Sequence, residues 1–190
     1  MVDPILLSIA KTSLLHRFDG DIFIDEVALY AKYPFVREDG ACFVTLHKDK
    51  ALRGCIGSIT PHRSLFHDIY HNAQAAAFHD PRFAPLEEDE LEHLTLEVSV
   101  LSIPKLLEYS DYEDLVSKIH PNKDGIILRH GRYQGTFLPQ VWEQLPTTKE
   151  FLQQLSYKAG ANPSIYNEHP EIYIYRVSAR EEPFHAIQPL

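Results

Sequence analysis

A chain of 190 residues fits one domain, or one domain with two lobes, and is long enough to bury a core without disulfides or a structural metal. With 44% hydrophobic, 24% charged and 11% aromatic residues, the composition is neither that of a disordered chain nor that of a coiled coil. A formal net charge of −9 counts against general polyanion binding, which needs a surplus of Lys and Arg, so nucleic acid is not an expected partner.

Met1-Val2-Asp3-Pro4 has no basic leader, and Lys11 interrupts the apolar stretch Ile5 to Ala10. No run approaches the roughly eighteen apolar residues that span a bilayer, so a cytoplasmic protein with no membrane partner is expected. Asp3-Pro4 predicts a helix start, and Leu6, Ile9, Ala10, Leu14 and Leu15 continue at helical spacing as far as Phe18. A second short helix is predicted over Ile24 to Lys32, before Pro34. Ala41 to His47 reads as a strand, and Lys48-Asp49-Lys50 turns the chain back into the segment that carries Cys55. Cys42 and Cys55 read as reduced thiols. One register pairs Cys42 with Cys55 and another pairs it with Gly57.

From Pro61 to Phe78, the residues Leu65, Phe66, Ile69, Tyr70, Ala73, Ala76 and Ala77 form one apolar helical stripe. His67 and His71 point away from that stripe and read as solvated, since two such residues fall short of a metal site. Glu87-Glu88-Asp89-Glu90 reads as a solvated helix start. Leu94 to Ile103 alternates as a half-buried strand. A capping box at Ser110 to Glu113 opens a helix that ends near His120. Gly125 to Arg129 and Arg132 to Leu138 form a second hairpin, followed by a short helix from Pro139. A further helix runs from Thr147 to Gly160, and Glu171 to Ser178 is a last strand with a polar tail beyond it. Two tight hairpins among interleaved helices predict an α+β fold with a mainly antiparallel sheet flanked by helices.

Leu52 to Ser58 is the stretch richest in chemistry. Two glycines within four residues of a strand, each costing about 0.5 to 1 kcal/mol relative to alanine, mark a bulge or the close approach of another backbone or a ligand. Strict alternation puts Arg53, Cys55 and Gly57 on one face, with Leu52, Gly54, Ile56 and Ser58 on the other. A guanidinium beside a thiol favours the thiolate, and a helix start at Thr60-Pro61 would act in the same direction. Cys55 is then a nucleophile or ligand; the competing reading makes it a small buried hydrophobe beside Ile56. Asp80-Pro81-Arg82-Phe83 sets a carboxylate and a guanidinium in one loop, as working groups or as an Asx turn with an ordinary ion pair.

Four ordered blocks resemble the AMMECR family: Leu52 to Gly57, identical to its signature hexapeptide, then Asp80 to Phe83, Thr136 to Trp142 and Lys158-Ala159-Gly160. The resemblance covers nearly the whole chain. It implies one AMMECR-like α+β domain over residues 1–190, with a larger lobe holding both termini, a smaller lobe, and the hexapeptide bordering the cleft between them. For bacterial and archaeal members it also implies a three-component system with a Memo-like protein and a radical SAM protein. The chain has no Cys-x3-Cys-x2-Cys run and no phosphate-binding glycine loop, so radical chemistry would belong to a partner, and neither cofactor nor metal is expected. Two functions of different classes follow. One is a small thiol-dependent enzyme, with Cys55 as nucleophile activated by Arg53, and Asp80, Arg82 or His62 as acid, base or anion clamp. The other is a non-catalytic component that binds a protein partner or small ligand at Gly54, Gly57 and Ser58.

Overall fold

Asp3 Oδ1 accepts from the Ile5 N–H at 2.9 Å where the first helix, α1 (Ile5–Phe18), begins. The structure is a computed structural model describing residues 2–190, which divide into two units: 2–101 with 178–190, and 102–177. In the first unit, α2 (Glu26–Lys32) is capped by Asp25 and stops two residues before Pro34 opens a 3-10 turn. The strands β1 (Ala41–Lys48) and β2 (Ala51–Gly57) form the expected hairpin. Asp49 and Lys50 between them both adopt positive φ, 50° and 68°, the backbone of a two-residue hairpin turn whose twist matches the strands.

The helix α3 (Leu65–Phe78) starts four residues later than Pro61, with Ser64 as its cap. On the other side of β1, β3 (Leu94–Leu101) pairs antiparallel and in full register. Side chains of α1 (Leu6, Ile9, Leu14), α3 (Ile69, Ala73, Ala76) and the strands (Val44, Leu46, Leu96, Val98) join in one buried cluster. Each such aliphatic side chain contributes about 1.5 to 3 kcal/mol on burial. One face of the sheet is therefore sealed by helices.

The second unit has its own antiparallel sheet, ordered β4-β7-β5-β6, from β4 (Lys105–Leu106), β5 (Gly125–His130), β6 (Tyr133–Phe137) and β7 (Glu171–Tyr175). Its helices are α4 (Tyr112–Lys118), capped by Asp111 rather than Ser110, and α5 (Thr148–Lys158), capped by Thr147. Trp142 stacks on Phe151 at 3.9 Å between ring centroids and donates to the Asp124 carbonyl at 2.8 Å, pinning the turn after Pro139 to that core.

The last strand is a correction to the sequence reading. It breaks at Arg176, and β8 (Val177–Pro183) continues as a strand beside β3, giving the first unit the order β2-β1-β3-β8. Its Arg180, Glu181 and Glu182 suit an exposed sheet edge, where charge discourages further pairing, and for the same reason read as a tail. The architecture is α+β, with an antiparallel four-stranded sheet in each unit. Among the described residues no helix is long and apolar enough to cross a membrane.

Candidate functional site

The strand β2 is a sheet edge, and its pairing decides where each residue of Leu52 to Ser58 points. Thr45 is opposite Cys55 and Leu46 opposite Gly54, but His47 is opposite Leu52, so Arg53 is an extra, unpaired residue. That bulge interrupts the strict alternation expected for this strand. At the other end Phe43 faces Gly57, and the Ser58 N–H donates to the Cys42 carbonyl at 2.9 Å. Neither register considered for the cysteines occurs. Cys42 is wholly buried among the core residues, whereas Cys55 sits half-buried on the opposite face of the sheet.

A buried aspartate holds the Cys42 end. Asp68 of α3 is fully buried; its Oδ1 accepts from Ser58 Oγ and Arg63 Nε, each at 2.8 Å. Its Oδ2 accepts from the Cys42 N–H at 2.9 Å and Asn72 Nδ2 at 3.0 Å. Four donors around one carboxylate complete its hydrogen bonding, which is what a buried charge requires. Burial pushes the Cys42 thiol well above its ordinary pKa, with the Asp68 charge acting in the same direction.

A second buried aspartate holds the Cys55 end. Asp80 Oδ2 accepts from the Cys55 N–H at 2.9 Å. Arg82 grips the same carboxylate through Nη2 at 2.7 Å and Nε at 3.0 Å, and its backbone N–H donates at 3.1 Å. Arg82 Nη2 also reaches the Cys55 carbonyl at 3.3 Å. The loop thus supplies the outward N–H and C=O of Cys55 with the partners that an edge strand lacks. Hydrogen bonds from Arg82 hold the Asp80 carboxyl far below the usual carboxylate range, against the opposing effect of burial, so it is ionised at neutral pH. Those bonds to Asp80 also raise the Arg82 pKa. Cys55 Sγ itself accepts from Thr45 Oγ1 at 3.3 Å.

Arg53 turns elsewhere. Its Nε and Nη2 donate to the two oxygens of Glu90 at 3.0 and 2.8 Å, and Lys48 Nζ joins Glu90 Oε1 at 2.9 Å. Glu90 is therefore not the solvated residue expected of an acidic block; hydrogen bonds from Arg53 lower its pKa to about 2. Gly54 lies against α3, where an added Cβ would run into the Ala76 carbonyl, and one on Gly57 would run into the Phe43 ring. The close approach signalled by these glycines is made by the protein's own backbone and side chains. His62 is exposed on the loop before α3, with its Nδ1 3.2 Å from the Thr60 carbonyl.

The structure thus brings together Cys55, Asp80 and Arg82, and separately Arg53 with Glu90. Thr45, Asp68, Asn72 and Glu90 escaped the sequence reading. Asp68 and Asn72 carried a signal, because they fall on the apolar stripe with Leu65, Ile69 and Ala76. His67 and His71 stack at 6.3 Å, and among the described residues no three His, Cys, Asp or Glu side chains are grouped to hold a metal ion.

The fold and site define a class: α+β proteins of two antiparallel sheets in which buried carboxylates lock a cysteine hairpin at a sheet edge. Within it, the AMMECR1 family profile matches residues 7–180, and the chain belongs to that family. A protein of Methanocaldococcus jannaschii is 37% identical over 159 residues, covering 79% of this chain and 77% of its own. One of Methanopyrus kandleri is 36% identical over 188 residues, covering 93% and 86%. The crystal structure of an uncharacterized protein from Pyrococcus horikoshii superposes with a TM-score of 0.79 at 32% identity, covering 98% of this chain and 96% of that one.

Proposed function

We propose that the chain is a non-catalytic binding component whose outer sheet face, centred on Cys55, receives a partner. The observation that carries this reading is the use of the neighbouring charges as frame: Asp80 and Arg82 hold the Cys55 backbone, while Arg53 holds Glu90. A carboxylate held ionised by four donors is a poor proton acceptor, and recruiting it would open the strand edge. Facing outward instead is a cross-strand row of Cys55, Thr45 and Glu97. The partner we propose is the Memo-like protein of a system that includes a radical SAM protein; family membership supports this choice.

A second reading, a small thiol-dependent enzyme with Cys55 as nucleophile, is favoured by the Thr45 hydroxyl that donates to Sγ and by the Arg82 guanidinium that reaches the Cys55 carbonyl. Co-purification with the Memo-like protein from the native host separates the two. On the binding reading a stable complex forms, and Thr45→Arg abolishes it without lowering Tm. Absence of a complex, or a complex indifferent to Thr45→Arg, overturns the binding reading. Cys55-dependent turnover by the isolated chain establishes the enzyme.

A further inference from the structure

The second unit carries a cavity of about 420 Å³ lined by Arg129, His130, Gly131, Gln134, His169 and Glu171. Sheet pairing places three of these in one cross-strand row, with Gln134 on β6 and Glu171 on β7 both opposite Arg129 on β5. Opposite charges facing each other across strands ordinarily pair. Here Glu171 accepts from the Tyr173 hydroxyl at 3.2 Å, while the Arg129 guanidinium lies over the Tyr173 ring, 5.3 Å from its centroid.

The Arg129 backbone is held in the sheet, but its side-chain Nε is buried from solvent without a hydrogen-bond partner. A guanidinium has five donors and does not give up its charge. An unsatisfied buried donor of a charged group is costly and is rare in native proteins, so each instance calls for a specific explanation. At the cavity wall, His169 has a φ of 53°, an uncommon conformation for a residue other than glycine, and its ring stacks on Tyr109 at 4.2 Å. His130 Nε2 lies 2.9 Å from Glu168.

We propose that this cavity is an anion site, in which the Arg129 fork takes a carboxylate or phosphate group of a small molecule and the Gln134 amide adds a further donor. A planar fork whose Nε has no partner in the chain matches the two oxygens of either group. Glu171 stands in the same wall and opposes the anion. Because it is exposed, solvent screens that repulsion.

The test is calorimetric titration of the full chain with inorganic phosphate and, separately, with acetate, each against sodium chloride at matched ionic strength. Saturable binding of one ligand per chain is expected, and the anion that saturates identifies the group. Arg129→Met should weaken binding at least tenfold while leaving the ligand-free Tm unchanged or raised, because a buried donor without a partner has been removed. Arg129→Lys keeps the charge but loses the fork, and should retain weakened binding. Glu171→Gln should tighten it. Binding of neither anion, equal binding by Arg129→Met, or a Tm lowered by several degrees in Arg129→Met would overturn the proposal, the last by assigning the guanidinium to packing on Tyr173.

Discussion

Two buried aspartates hold the same hairpin and leave opposite results around them. At Asp68 the donors come from α3, the loop before it, β1 and the residue just after β2, and the enclosed thiol, Cys42, is sealed into the core. At Asp80 the donors come from Arg82 and the strand's own edge, and Cys55 faces outward, half-buried. The difference follows from position: the Asp68 carboxylate lies between helix and sheet, while Asp80 lies beside a strand that has no neighbour on that side. Similar chemistry closes one end of the motif and presents the other.

Substitution offers the strongest way to break this comparison. Asp68→Ala strips Arg63, Asn72, Ser58 and the Cys42 N–H of a shared acceptor inside the core, and should cost about 3 to 5 kcal/mol in urea unfolding. Asp80→Ala frees a guanidinium that is 53% exposed and can turn to water, so about 1 to 3 kcal/mol is expected. Equal costs for the two variants would remove the distinction between interior and edge.

A smaller effect sharpens the edge side. Glu90 has its pKa lowered from 4.5 to about 2, first by hydrogen bonds from Arg53. A carboxyl depressed on folding contributes stability that is fully present above its unfolded value and is lost as pH falls toward the folded one. Between about pH 4.5 and 2 the wild type should therefore lose more of its urea midpoint than Glu90→Gln does. Parallel curves for the two proteins would mean that the Arg53 pair adds nothing to the edge.

Much of this was legible in the sequence. Lys48-Asp49-Lys50 marked the hairpin turn, the stripe from Leu65 to Ala77 marked α3, and the two hairpins marked the α+β class. The direction of Arg53 was not legible, because alternation assumes an unbroken ladder and a single bulged residue redirects a side chain without changing composition. Glu90 looked like its acidic neighbours, since nothing local distinguishes the carboxylate that meets a guanidinium from those that meet water. The strand β8 was hidden for a related reason, as a charged edge strand and a polar tail share a composition. Asp80 and Arg82 were found as a pair, but their attachment to Cys55 joins residues 25 and 27 positions apart, and only the fold reveals it.

The most direct measurement is alkylation of the native protein by iodoacetamide, with each cysteine followed by mass spectrometry. If the hairpin sorts its thiols to opposite faces, Cys55 is modified in the folded protein and Cys42 only at the rate of global unfolding. Equal labelling of the two, or protection of Cys55 to the same degree as Cys42, would contradict that sorting.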